Sequence, residues 1–264
     1  MMTLYLHELK SNRTSFWVWL VSVAAFCCGT VFLFPMTKES MSDLSDAFAS
    51  MGGFSSAFGM DKLSVATLEG FFGTEIGTIY ALGGGMYASL LGIGMLAKDE
   101  GAHTAEFLHT LTMSRPAIVT GKLLASLTLL AAFGLLNFGA MLASIAIVGE
   151  SMNLTSLTGY MLAQSLCQGE IFAVCFGISA FLRRSNLGVG LGLALVLYVV
   201  DIMSRIADET EWMRILTPFG FSNATDIFVN EGKMETIPVV IGGCIAAAGL
   251  AAAYAVYGRR DISA

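Results

Sequence analysis

Six long apolar runs, each with few charged residues, constrain the fold of this chain more than any other feature. They fall near residues 16–34, 76–97, 123–148, 157–182, 187–206 and 237–257. Each is close to the ~20 residues with which an α-helix crosses about 30 Å of hydrocarbon. The runs are solid rather than alternating, so they predict helices. The sequence therefore predicts an all-α integral membrane protein, with residues 1–264 forming a single transmembrane domain.

The composition supports this class. The chain is 55% hydrophobic and 13% charged, whereas about a quarter of the residues of a soluble domain are charged. The three His residues and five Cys residues form no spacing typical of a metal site. No Lys/Arg-rich tract favours nucleic acid as a partner. We therefore expect no metal and no nucleic acid, and we expect the lipid bilayer to surround the chain.

The positive charges between the runs predict the orientation. The Lys and Arg residues that would lie inside are Lys10, Arg13, Lys98, Arg115, Lys122, Arg183, Arg184, Arg259 and Arg260, and those outside are Lys38, Lys62, Arg205, Arg214 and Lys233. Cytoplasmic segments are enriched in Lys and Arg, so both termini are predicted in the cytoplasm. Residues 35–75 then form an outer loop, in which Ser42 is expected to cap a short surface helix. Residues 98–122 form the largest inner loop.

The inner loop has the spacing of a helix followed by a stop. Ala102, Ala105, Leu108 and Leu111, or with a small rotation Phe107 and Leu111, form an apolar stripe at helical spacing. Pro116 ends this helix and can open the next one, and Lys122 is expected to anchor that next helix at the membrane interface. The apolar stripe can lie on lipid headgroups or bind a soluble partner, and the residues alone leave both alternatives open.

This loop resembles a known signature. The run E-G-A-H-T-A-E-F-L-H-T-L-T-M-S-R-P-A-I-V-T-G-K-L is similar to the inner-loop pattern of permease subunits of type-2 ATP-binding-cassette exporters. The matching positions are Glu100, Thr104, Glu106, Leu108, Ser114, Arg115, Ile118, Val119, Gly121, Lys122 and Leu123. His103 stands where the family has Gly. The N-terminal segment, with Leu4 and Leu9 opposite Glu8, resembles the family's amphipathic elbow helix.

The resemblance implies a permease that exports a substrate across the plasma membrane of a bacterial cell. In such exporters, ATP hydrolysis in separate cytoplasmic ATPase subunits drives alternating access, and the permease pairs with a second copy or a sister permease. The implied docking residues of a coupling helix are Asp99, Glu100, Thr104, Glu106, Phe107, Leu108, Leu111 and Arg115. The chain has no G-x-x-x-x-G-K-[ST] loop. We therefore expect no catalysis and no bound cofactor in this chain, with ATP and Mg in the partner.

Polar residues inside the runs are candidates for a transport path. Glu170 lies near the middle of the fourth run with Gln164 and Gln168, and Asn137 lies in the third run. A carboxylate at this depth costs about 2.5–3.5 kcal/mol on insertion scales, so it is expected to face protein or water. It can line the path, or it can only hydrogen-bond between helices, which is also the role expected of Asn137. A proton site at Glu170 would instead suit a partner-free secondary carrier, and a sensor or scaffold is a further alternative.

Two other patterns mark the runs. Asp201 and Arg205 are four residues apart and share a helix face, which predicts an ion pair with a possible role as an outer gate. Small residues recur every fourth position, as at Gly84, Ala88 and Gly92. Such faces permit close helix packing, either within the chain or across a dimer.

Overall fold

The computed structural model describes residues 1–98 and 114–259, which are helical and contain no β-strand within those ranges. Six of the described helices are long and apolar enough to span a membrane: Arg13–Ala49, Leu68–Met95, Arg115–Val148, Leu154–Ser179, Leu187–Ile206 and Thr236–Arg259. We call them the first to the sixth span. Each contains most of one predicted apolar run, so the prediction of an all-helical, multi-pass membrane protein is confirmed.

The first span is longer than its apolar run. The helix passes through Pro35 and continues to Ala49, so the prediction that Ser42 starts a separate helix is wrong. Phe34 is fully buried, and its ring packs against that of Phe71, with 5.2 Å between the centroids. This contact anchors the chain on the N-terminal side of the proline. A proline inside a membrane helix is tolerated where neighbouring groups support the backbone.

The second span begins earlier than its apolar run because a cap starts it. The Thr67 side chain accepts a hydrogen bond from the backbone N–H of Gly70 at 3.1 Å, which satisfies one of the donors left free at a helix start. Residues Phe72–Ile76 form a π-helical turn before the α-helix resumes at Gly77. Together with the short helix Gly53–Phe58, this leaves much of the predicted outer loop helical.

The second and fourth spans form the centre of the bundle. In the most apolar stretch of each, 67% of the residues are buried, compared with 11% in the sixth span. Small residues allow this contact: a Cβ added at Gly92 would lie 2.6 Å from the carbonyl oxygen of Phe172 and 2.8 Å from the Cβ of Cys175. The small-residue face of the second span therefore packs within the chain.

The substitution Gly92→Ala is expected to destabilise the bundle. Its methyl group would meet backbone atoms of the fourth span, which cannot rotate away, and overpacking of this kind costs about 1–3 kcal/mol. Gly139→Ala in the third span is the matched control, because nothing lies within 4 Å of the added Cβ there. Thermal unfolding in nanodiscs should show a lower midpoint for Gly92→Ala only. Equal midpoints for the two variants would contradict the packing described.

Shorter segments cover the two ends of the bundle. The N-terminal helix, Met2–Ser11, lies against the third span, with the Tyr5 hydroxyl 3.1 Å from the Thr128 hydroxyl. We call this the inner end, because the charge bias predicts it to be cytoplasmic. At the opposite, outer end, the chain between the fifth and sixth spans folds into a 3₁₀ segment and two short helices: Asp208–Leu216, Pro218–Phe221 and Ala224–Val229.

Candidate functional site

The predicted coupling residues fall mostly outside the described part of the chain. Those outside are Asp99, Glu100, Thr104, Glu106, Phe107, Leu108 and Leu111. Arg115 is described, and its guanidinium donates to the carbonyl oxygens of Tyr257 and Gly258 at 3.4 and 3.3 Å. The start of the third span is therefore bonded to the end of the sixth span. The docking role of these eight residues stays a prediction.

A buried carboxylate organises the inner end. Glu8 of the N-terminal helix is 1% exposed, and its Oε1 accepts from the Nζ of Lys122 at 2.7 Å. Its Oε2 pairs with Lys98 at the end of the second span. The Lys122 ammonium, which is 0% exposed, also donates to the carbonyl oxygen of Met95 at 2.9 Å. We call Glu8, Lys98 and Lys122 the inner clasp.

The charges of the inner clasp determine the ionisation of Glu8. Burial alone would raise the pKa of this carboxyl, but Lys122 and Lys98 outweigh it and hold the pKa below its usual value. Glu8 is therefore a carboxylate at neutral pH. Asn12 adds a side-chain bond of 2.8 Å to the carbonyl oxygen of Glu8, which closes the end of the N-terminal helix.

The prediction that Lys122 anchors the third span at the lipid interface is wrong. Lys122 points into the protein, because a carboxylate from the other end of the sequence supplies its counter-charge there. Glu8, which the amphipathic pattern places on the polar face of the N-terminal helix, is likewise buried. The two residues are 114 positions apart, so local spacing carries no signal of their pairing.

The polar candidates of the spans point in different directions. Gln164 donates to the carbonyl oxygen of Ser222 at 2.8 Å. It so contacts the chain between the fifth and sixth spans, residues 207–235, which we call the outer segment. Gln168 lies against Gly84 of the second span. Asn137 donates to the carbonyl oxygen of Phe133 at 2.9 Å within its own helix, so the predicted hydrogen bond between helices is not the one observed. The roles of these side chains in a path stay predictions.

Glu170 faces the sixth span. The residue is 6% exposed, and its Oε2 has no hydrogen-bond partner among the residues that the structure describes. A Cβ added at Gly242 would lie 3.0 Å from the carboxyl carbon, and the ring of Phe221 is close to the same point. The glycine therefore admits the carboxyl group between the fourth and sixth spans, beside the outer segment.

A small cavity lies towards the outer end. Its volume is about 20 Å³, and residues of the second, fourth and fifth spans line it, among them Gln164, Tyr198 and Asp201. A volume of this size holds one water molecule, whereas ligand pockets measure about 300–1,000 Å³. The structure thus brings the path candidate Gln164 and the gate candidate Asp201 to one small cavity.

An ionic network holds the outer segment on the fifth span. Arg205 binds Asp201 with two hydrogen bonds of 3.0 and 3.1 Å, which is the ion pair that their spacing predicts. Its third bond, of 2.9 Å, goes to Asp226 of the outer segment. Asp226 also accepts from Arg214 and from Lys62, each at 2.7 Å. We call these five residues the outer network.

Asp226 is the centre of the outer network. Burial opposes its charge, but Arg205 and Arg214 outweigh this effect and lower the pKa of Asp226 to about 2. It accepts from the fifth span, the first outer loop and the 3₁₀ segment at once. No spacing in the sequence links Asp226 to Arg205, Arg214 and Lys62. Asp226 is therefore absent from the predicted site residues.

A comparison with family models identifies the family of this chain. The model described as ABC-2 family transporter protein matches residues 2–262 of the 264. The chain belongs to this family. The ABC-2 match covers the N-terminal helix and all six spans, so both the inner clasp and the outer network lie within the family's membrane domain. No curated protein matches the chain.

The ABC-2 transporter is therefore a multi-pass membrane permease with ion pairs at both ends of one helical bundle. The clasp joins the N-terminal helix to the second and third spans, and the network joins the outer segment to the fifth span. Both clusters are largely buried.

Proposed function

We propose that this chain is the membrane-spanning subunit of an ATP-driven exporter. A separate ATPase, carrying ATP and Mg, would bind the segment between the second and third spans and power alternating access, in a complex with a second copy or a sister permease. The family match is the observation that carries this proposal. The inner clasp supports it, because Lys98 and Lys122 flank that segment and both contact one carboxylate.

The ends of the bundle suit alternating access. The outer network involves Asp226 in three ion pairs, and the cavity beneath it has room for one water molecule. We propose that, in this arrangement, a substrate cannot leave at the outer end. Export requires the outer network to loosen at one stage of the cycle while the inner end closes, and we propose that ATP binding drives this exchange.

Copurification tests the proposal first. The tagged chain would be extracted from its native membrane in mild detergent, and the proteins that accompany it would be identified by mass spectrometry. We expect a stoichiometric protein with a G-x-x-x-x-G-K-[ST] loop. If the intact chain is monodisperse and no such ATPase accompanies it, the exporter function is contradicted.

Replacing Phe107, Leu108 and Leu111 together by Ser should remove the ATPase from the purified complex. The apolar stripe supplies the buried area of the proposed contact, so we expect at least a tenfold loss of bound ATPase with normal insertion of the chain. The matched control replaces three exposed apolar residues of the outer 3₁₀ segment by Ser: Trp212, Ile215 and Leu216. Retention of the ATPase by the first variant, or its loss in the control, would speak against docking at this loop.

A secondary carrier is the second candidate, because Glu170 is a buried carboxyl with an unpartnered oxygen. A carrier of this kind would take up and release a proton there. Glu170→Gln would then abolish the pH dependence of export from proteoliposomes without ATP. Export that needs ATP and keeps its pH dependence in Glu170→Gln would exclude the carrier.

A further inference from the structure

Three separate parts of the chain meet at Glu8. The carboxylate comes from the N-terminal helix, Lys98 lies at the end of the second span, and Lys122 lies in the first turns of the third span. Each carboxylate oxygen is engaged by a different lysine, Oε1 by Lys122 and Oε2 by Lys98. The carboxylate thus joins two separate parts of the chain, and the Asn12 amide adds a longer contact of 3.4 Å to Oε2.

The surroundings of this contact make it a fixed joint rather than a surface pair. Glu8 and Lys122 are almost completely buried, and a charge in such a place is strongly disfavoured when its partner moves away. Neighbouring contacts also join the N-terminal helix to the third span. Leu4 packs on Gly121, and the hydroxyls of Tyr5 and Thr128 lie 3.1 Å apart. The N-terminal helix thus contacts the third span on both sides of Lys122.

The two lysines also lie on either side of the inner loop. Any force on that loop reaches the bundle through the end of the second span and the start of the third span. The second and third spans touch deeper in the bundle, where the ring centroids of Tyr87 and Phe133 lie 4.8 Å apart. A carboxylate that binds both span ends adds a joint at the inner end, because sliding either helix would leave a buried charge unpaired.

We propose that Glu8 is a positioning residue that locks the N-terminal helix, the second span and the third span into one body during transport. This inference rests on the proposed function. In it, a movement at the inner loop carries all three helices together. Without Glu8, the N-terminal helix and the two span ends move independently. A movement of the inner loop then no longer displaces the three helices together.

A spin-label distance measurement tests this inference in the full chain, purified with any accompanying ATPase in nanodiscs. Labels at the exposed residues Leu6 and Ile147 would report on the N-terminal helix and the far end of the third span. Ile147 lies nineteen residues beyond Thr128 in one helix, which is roughly 28 Å. Cys28 and Cys244 would be replaced by Ser, and labelled copies would be diluted with unlabelled ones.

We expect a single narrow distance in the wild-type chain, unchanged between nucleotide-free and vanadate-trapped complexes. In Glu8→Gln, the distribution should widen at least twofold. Lys10→Gln is the matched control: it removes one charge from the exposed face of the same helix and should leave the width unchanged. An unchanged width in Glu8→Gln, or a wild-type distance that splits when nucleotide is trapped, would overturn the inference.

A second variant covers the case in which Glu8→Gln does not fold. Glu8→Met combined with Lys122→Met fills the same space with apolar groups, a replacement that buried ion pairs commonly tolerate. It leaves Lys98 without its carboxylate, so with the second label moved from Ile147 to the exposed Glu75 of the second span we expect a widened distance, and a narrow one would refute the role of Glu8. Absence of any ATPase would remove the proposed function, whereas the nucleotide-free widths would still decide the role of Glu8.

Discussion

The substitution Asp226→Asn is expected to lower the free energy of unfolding by about 3 kcal/mol. Removing one partner of a buried ion pair costs about 3–5 kcal/mol. The fall in the pKa of Asp226 from 3.8 to about 2 corresponds to roughly 2.4 kcal/mol at 1.36 kcal/mol per unit, which favours the low end. Thermal or denaturant unfolding in nanodiscs would measure the loss.

The matched control for Asp226→Asn is Glu150→Gln. Glu150 pairs with Lys38 at 2.6 Å, also at the outer end, but the two side chains are more exposed, at 27% and 46%. An exposed pair contributes about 0–1 kcal/mol, so this variant should unfold close to the wild type. Similar losses for the two variants would show that burial of the outer network does not determine its strength.

The same substitution predicts a pH dependence. The pKa of Asp226 is lowered in the folded state, so its contribution is complete above about pH 4 and is lost as the pH falls towards 2. The difference in stability between the wild type and Asp226→Asn should therefore be constant from pH 7 to pH 5 and shrink below pH 4. A difference that persists at pH 2 would contradict the ionic origin of the effect.

The substitution Lys122→Met should cost about 4 kcal/mol, within the range for breaking a buried pair. Glu8 would remain buried with only Lys98 to neutralise it, and the carbonyl oxygen of Met95 would lose its donor. The expected result is a large fall in the unfolding midpoint and a lower yield of inserted protein. Both can be followed by fluorescence-detected chromatography after heating.

Lys98→Met is the control for the inner clasp. It removes the other lysine of the same carboxylate, but this side chain is 28% exposed, compared with 0% for Lys122. Water can compensate part of the loss, so we expect an effect of about 1 kcal/mol. If both lysine variants lost the same stability, the difference in burial would not control the strength of the clasp.

The sequence predicted the spans well and the contacts poorly, for physical reasons. In lipid, an apolar run of about 20 residues can satisfy its own backbone hydrogen bonds only as a helix. The six spans follow from that requirement. Asp201 and Arg205 pair within one helix, where spacing alone brings them together. Glu8 and Lys122 pair across 114 positions, and nothing local distinguishes a buried lysine from an interfacial one.

The outer end shows the same limit. The continuation of the first span beyond Pro35 depends on packing between distant segments, and so do the ion pairs of Asp226. Asn137 could satisfy its amide within its own helix or across two helices, and the spacing of the sequence fits either. Polar residues in loops and spans thus gain their roles from tertiary partners that the sequence order does not reveal.

The length of the first span has a practical consequence for imaging. Its 37 residues extend about 55 Å, of which only about 30 Å can lie in hydrocarbon. The remainder continues beyond the hydrocarbon at the outer end, where the Lys38–Glu150 pair and the 2.8 Å bond between Ser45 and Ser64 hold it to the rest of the protein. A soluble helical domain fused after Ala49 in continuous register would be positioned by the same two contacts. Such a domain would extend beyond the detergent micelle. Its outline would allow electron-microscopy images of the protein to be aligned.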